Sequence, residues 1–288
     1  MKIPHLFGIL NLTEDSFSDG GLYIRPEEAL QKANLLIAEG ARTIDIGAQS
    51  SNPDATILPW EEEWRRISQI LDRIHQIRTR NGFPPEISID SYKPEILERV
   101  WEKGIDYWND IRALGSAGIA EVIQNHRFSP PETFPRFIVM FSHNRGKLAE
   151  RKSYLRKETV LEEILNFFRK EKDSWLSWGI PEANLIYDPG MGFFLGEDPE
   201  LSLEVLRNLP RLQEELGKIL ISVSRKSFLG TILGGRPPLE RRFATFATEL
   251  YLVETGVDYI RTHEIAPLMD MVRMRRAING NPYRACDT

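Results

Sequence analysis

The chain has 288 residues, 41% hydrophobic and 27% charged, with a mean hydropathy of −0.34, the composition of a globular protein with a substantial core. Its net charge of −5 argues against broad nucleic-acid binding, and its apolar runs are too short to span a bilayer. A single cysteine, Cys286, excludes an intramolecular disulfide, and "MKIPHLFGIL" lacks a secretory leader, so a cytoplasmic protein without membrane or nucleic-acid partners is expected.

Strands are expected at 6–12 (LFGILNL), 43–48 (TIDIGA), 86–91 (EISIDS), 106–111 (DYWNDI), 136–142 (RFIVMFS), 185–190 (LIYDPG), 218–224 (KILISVS) and 258–263 (DYIRTH). Between them lie amphipathic segments. In 26–39 the apolar positions are Ala29, Leu30, Ala33, Leu36 and Ile37, and in 59–80 Ile67, Ile70, Leu71, Ile74 and Ile77 recur at helical spacing. Further helical runs cover 238–255 and 264–279. No Ser/Gly-rich or Pro-rich linker divides the chain; "FSPPETFP" and "LGGRPP" are short enough to be loops. Eight βα units therefore imply an α/β fold of the (β/α)8 TIM-barrel type, one domain over 1–288, with its site at the C-terminal ends of the strands.

Those strand ends carry Asn11, Asp45, Asp90, Asn109 with Asp110, Asp188, Lys226, and Arg261 with His263. Any one of them alone reads as a cap or a loop hydrogen-bonder. Together at one face they read as a site. Asp90, Asn109 and Asp188 offer acceptors and a carboxamide suited to the N–H and C=O edge of a planar heterocycle. Lys226, Arg261 and His263 form a cationic group that, with Asn11 available to a metal, suits a phosphate or pyrophosphate. A Schiff-base role for Lys226 would need desolvation, and Arg225 and Ser227 beside it favour an anion site. His5, His75 and His126 have no metal-ligand spacing, and the six tryptophans read mostly as helix packing.

"GILNLTEDSFSDGG" resembles the first signature of the dihydropteroate synthases. The resemblance continues through "IDIGAQSSNPDA", "ISIDSYKPE", "YWNDIRAL", "LIYDPGMGF", "SVSRKSFLG" and "YIRTHEI", in the family's order and over nearly the whole chain. It implies a TIM barrel that joins 6-hydroxymethyl-7,8-dihydropterin pyrophosphate to p-aminobenzoate, giving 7,8-dihydropteroate and pyrophosphate. It implies that Asn11 meets Mg²⁺ and pyrophosphate, that Asp90, Asn109, Asp188 and Lys226 surround the pterin, and that Arg261 and His263 hold pyrophosphate. Asp90, Lys226 and Arg261 are the expected catalytic residues. Phe17, in a mobile first loop, is expected near the aminobenzoate, and Ser51, Met140, Phe193 and Ser227 complete the substrate contacts. A homodimer built on the C-terminal helices is also implied.

Three loops depart from the family pattern. The second usually reads Gly-Gly-Glu-Ser-Thr-Arg-Pro-Gly, where this chain has "GAQSSNPD". Gln49 replaces a carboxylate, Ser51 keeps a hydroxyl, Asn52 replaces an arginine, and Asp54 adds negative charge. Phe194 and Leu195 stand for a glycine and a lysine, a bulky pair expected to narrow the pterin mouth or to pack a loop. "MFSHNRG" is one residue longer than its counterpart and leaves His143 without an alignment. Arg145 either replaces charge lost at Asn52 or is solvated. Two alternatives to a synthase stay open at this point: a methyltransferase acting on a methylated tetrahydrofolate, and a non-catalytic pterin-binding protein.

Overall fold

A computed structural model of the chain describes residues 2–13, 25–77, 82, 84–130 and 133–280; Phe17 and Cys286 lie outside them. Within the described residues the order is β1 (His5–Asn11), α1 (Pro26–Glu39), β2 (Thr43–Gly47), α2 (Trp60–Ile74), β3 (Glu86–Asp90), α3 (Pro94–Lys103), β4 (Tyr107–Asp110), α4 (Ile119–Asn125) and β5 (Arg136–Met140). There follow α5 (Val160–Ser177), β6 (Leu185–Asp188), α6 (Pro199–Arg207), α7 (Leu209–Leu216), β7 (Leu220–Ile221), α8 (Ser227–Ile232), α9 (Arg242–Thr255), β8 (Tyr259–Thr262) and α10 (Ile265–Ile278).

Local chemistry sets several of these boundaries. Proline, whose missing N–H costs nothing in a first turn, opens α1, α3 and α6, and Asp198 caps α6 by accepting the Glu200 N–H at 2.9 Å. Of the apolar residues expected to line the second helix, Ile67, Ile70, Leu71 and Ile74 are buried on α2. That helix ends at Ile74 rather than running to 80.

All paired strands are parallel, in the order β6-β5-β4-β3-β2-β1-β8-β7. A parallel bridge between Tyr187 and Ile219 links the two ends of that order, so the sheet closes into a barrel. The expected (β/α)8 architecture is the observed one. Strand 7 is the exception, with two residues where seven were expected. Its continuation leaves the sheet because Lys226 N–H turns back to the Val223 carbonyl at 3.1 Å, a tight turn in place of a ladder.

Alternation along each strand sorts side chains between two environments. Phe7, Tyr107, Ile138, Ile186, Leu220 and Tyr259 form one cluster inside the barrel. Ile44, Ile46, Ile87, Ile89, Phe137 and Val139 belong to the larger core shared with the helices, where burying each such side chain contributes about 1.5–3 kcal/mol relative to exposure. The inner cluster fills the barrel below the strand ends, so a ligand site has room only at the mouth.

Candidate functional site

The parallel register carries the inner face of the barrel up to a ring of polar residues. Asn11 is paired with Gly47, Gly47 with Asp90, Asp90 with Asn109, and Met140 with Asp188. Phe7 pairs with Arg261, which gives Arg261 the same inward phase. Asn11, Asp90, Asn109, Asp188 and Arg261 are thus brought to one face, whereas Asp110, one residue beyond Asn109, has the opposite phase and accepts hydrogen bonds from Trp108 Nε1 at 3.4 Å and the Arg112 N–H at 2.7 Å in the layer outside the barrel.

Arg261 is the electrostatic centre. Its Nε donates to Asp45 Oδ2 at 2.5 Å and its Nη2 to Asp90 Oδ2 at 2.6 Å. Asp45 has no exposed surface and accepts a second bond, from Ser88 Oγ, on Oδ1 at 2.5 Å. Burial opposes the charge on Arg261, but attraction to Asp45 and Asp90 outweighs it, so the guanidinium stays charged. Burial and repulsion from Asp45 push the Asp90 carboxyl upward against the pull of Arg261. Asp45 was visible as a strand-end acid, yet its place beneath Arg261 was missed. The signal was there, two residues before Gly47 and therefore on the same face.

Asp188, at the end of β6, and Lys226, just past β7, follow Arg261 around the mouth on the neighbouring strands. Burial and the nearby Arg261 bring the Lys226 ammonium down to about 8, and its Nζ lies 4.7 Å above the centre of the Phe194 ring. Burial raises Asp188 to about 6, although the Gly190 N–H donates to its Oδ1 at 2.8 Å and Lys226 attracts it. Gly190 is fixed as glycine by its φ of +73° and by the Phe141 carbonyl, which would stand 2.3 Å from a Cβ. Asn109 is buried, and its carboxamide makes no hydrogen bond among the described residues.

His263 differs from the expected cation. Burial and the fields of Arg225, Arg261, Lys226 and Lys32 hold it well below its ordinary value, so it is neutral near pH 7. Its Nδ1 meets Ser224 Oγ at 2.9 Å. Positive charge at this corner therefore comes from Arg225, Arg261, Lys226 and Lys32 rather than from His263. Ser222 and Ser227 keep buried hydroxyls without a partner among the described residues, and Ser222 and Ser224 are additions that the sequence did not single out.

Two closely spaced cations, three acids and a free carboxamide at the mouth of a parallel barrel suit a heterocycle carrying a phosphate ester. Residues 7–263 match the family of pterin binding enzymes. The dihydropteroate synthase type-3 of Escherichia coli is 36% identical over 282 residues, 95% of this chain and 98% of that one. This chain belongs to the dihydropteroate synthase family. The type-1 synthase of Pseudomonas aeruginosa is 39% identical over 90% of this chain and 88% of its own. Among solved structures, the Yersinia pestis synthase with a sulfonamide drug superposes with a TM-score of 0.83 at 27% identity, covering 96% of this chain and 94% of that one. The Xanthomonas albilineans synthase with 4-aminobenzoic acid gives 0.81 at 29% identity, covering 97% and 94%.

Seen as a dihydropteroate synthase, the chain has unusual but well-tied loops. Gln49 Oε1 accepts the Leu58 N–H at 2.7 Å while Nε2 donates to the Ser50 and Thr56 carbonyls at 2.8 and 3.1 Å. A carboxylate could not make the two donor bonds. The Ser51 carbonyl accepts the Ala149 N–H at 3.0 Å, and Asp54 pairs with Arg151, so the loops after β2 and β5 are joined twice. The Arg151 guanidinium lies 5.5 Å from the Phe193 ring, which packs on Tyr92, Ile111, Met140, Ala149 and Phe194.

Phe194 and Leu195 are both buried, so the bulky pair packs its loop. Arg145 is not simply solvated, since it pairs with Glu171 at 3.0 Å and lies over Phe167. His143 is buried; its N–H donates to the Phe194 carbonyl at 3.0 Å and its Nε2 lies 3.3 Å from the Glu150 carbonyl.

Proposed function

We propose that this protein condenses 6-hydroxymethyl-7,8-dihydropterin pyrophosphate with p-aminobenzoate to give 7,8-dihydropteroate and pyrophosphate, the transferase reaction of its family in folate biosynthesis. The observation that carries this reading is the grouping of Lys226 and Arg261 with Asp90, Asn109 and Asp188 inside one barrel mouth. Asp188 and Asn109 present an acceptor and a carboxamide to the pterin edge, while Met140 and Phe193 supply apolar wall. Lys226, Ser227, Arg261 and the neutral His263 face the pyrophosphate side, where His263 donates or accepts rather than carrying charge.

Bond breaking between the pterin methylene and the pyrophosphate oxygen leaves positive charge on the pterin and negative charge on the leaving group. Arg261 neutralises the second, and Asp90, when ionised, stabilises the first. The amine nitrogen then bonds to the methylene and releases a proton. Phe17 and Ser51 complete the aminobenzoate side, with Phe17 in a segment outside the described residues.

Asn11 offers one oxygen ligand for Mg²⁺. A Mg²⁺ bound there would be held by the Asn11 carboxamide oxygen together with oxygens of the bound pyrophosphate, in keeping with the preference of this cation for oxygen ligands. The chemistry supplied there is charge neutralisation of the leaving group.

We further propose a homodimer in the cytoplasm. The C-terminal helices leave apolar side chains uncovered, with Phe243 at the start of α9 80% exposed and Ile278 at the end of α10 70% exposed, and a second copy packed along these helices would cover them. No described helix is long and apolar enough to cross a membrane. Sedimentation equilibrium that finds only a monomer would remove the dimer.

The deciding experiment is formation of 7,8-dihydropteroate from the two substrates and Mg²⁺, read by mass spectrometry. Wild type is expected to form it, and Asp90→Ala and Lys226→Ala to abolish it. Pterin binding without product, or full turnover by those variants, would overturn the reading.

A further inference from the structure

We propose that Thr245 and Arg241, which lie outside the barrel mouth, are positioning residues for Lys226 and act by clamping the turn that precedes it; the inference rests on the role given to Lys226 above. Arg225 has φ +60°, a left-handed backbone that non-glycine residues adopt only when their surroundings impose it. Both of its backbone polar groups are taken by side chains from distant positions. Its N–H donates to Thr245 Oγ1 at 3.0 Å, and its carbonyl accepts Arg241 Nη1 at 2.8 Å. Lys226 follows immediately and closes the turn on the Val223 carbonyl.

Gly230 reports on the same clamp. A Cβ there would stand 2.4 Å from Arg241 Nε, 2.7 Å from its Cζ and 2.7 Å from the Arg236 carbonyl, to which Arg241 Nε also donates. Its backbone does not require glycine. The space beneath it does, because the guanidinium passes there on its way to Arg225. The Arg225 side chain is drawn outward to Glu264, which Arg242 also binds, and so does not compete with Lys226. The outcome is a lysine whose Nζ is set above Phe194 in the field of Arg261, Asp188 and Asp90.

The test uses Thr245→Val, Arg241→Met and Gly230→Ala, each alone and combined with Arg225→Gly, since glycine holds the left-handed turn without a clamp. Two readouts are followed in variants that retain a cooperative thermal transition. One is kcat/KM for dihydropteroate formation. The other is the pH dependence of Lys226 acylation by acetic anhydride, mapped by peptide mass. Each single variant is expected to lower kcat/KM about 10- to 100-fold, the scale of an ångström-size misplacement. Each should also move the acylation midpoint upward from about 8. Arg225→Gly should restore most of both. Unchanged acylation profiles, or losses that Arg225→Gly leaves in place, would overturn the proposal. If wild type forms no dihydropteroate, the functional reading fails, and the acylation profile by itself decides whether the clamp exists.

Discussion

Arg261 and Asp45 form an ion pair inside the barrel, with a carboxylate that has no exposed surface. Removing the cation strands that charge. Arg261→Leu is expected to lower stability by roughly 3–5 kcal/mol in urea unfolding, because an uncompensated buried charge costs more than a lost contact. Asp45→Asn in the same chain should return much of the loss, whereas additive losses in the double variant would mean that the two residues act independently.

Asn52 lies exposed in a loop that already contains Asp54, itself paired with Arg151. A guanidinium at position 52 adds a charged donor without displacing any bond that its side chain makes. Asn52→Arg should tighten inhibition by pyrophosphate about tenfold or more, the equivalent of one charged hydrogen bond. Unchanged inhibition would show that the anion does not reach this loop.

Glu86, at the other end of the barrel, binds His5, Tyr107 and Arg136 at 3.0, 3.1 and 3.3 Å. Burial raises its carboxyl, but His5, Arg136 and Arg42 together win and hold it to about 2. A carboxyl depressed in the folded state stabilises above the unfolded value of 4.5 and loses that contribution as pH falls toward 2. Glu86→Gln should therefore lose on the order of 2 kcal/mol at neutral pH, a figure reduced for the fifth of the side chain that remains in solvent, and should flatten the acid limb. A parallel acid limb in the variant would point to other carboxyls.

Glu249 on α9 gives the opposite sign. It is buried beside Thr262, yet neither carboxyl oxygen is in hydrogen-bonding geometry, and burial raises it to about 8. A raised acid stabilises fully below 4.5, and its contribution is lost as pH rises through 8. The stability of Glu249→Gln relative to wild type should grow across that window by roughly 1.4 kcal/mol per pH unit. Equal pH dependence in urea unfolding would show that Glu249 finds a partner.

Much of this architecture is legible in the sequence. Alternating apolar and helix-period segments identified all eight strands, since strand alternation and helical spacing are local properties of the chain. Acids, amides and cations at the strand ends marked the mouth because a purely structural barrel has no need of Asp90, Asn109, Asp188, Lys226 and Arg261 together.

What tertiary structure alone decided was which of these groups share charge. Asp45 and Asp90 stand 45 residues apart in the chain, and only closure of the barrel sets both against Arg261. The same closure desolvates His263 and holds it neutral, removing the positive charge that was expected of it. Loop pairing was equally hidden, for Asp54 meets Arg151 and Thr245 meets Arg225 only once their elements pack. Sequence spacing carries periodicity, whereas burial and charge pairing depend on distances that the folded barrel creates.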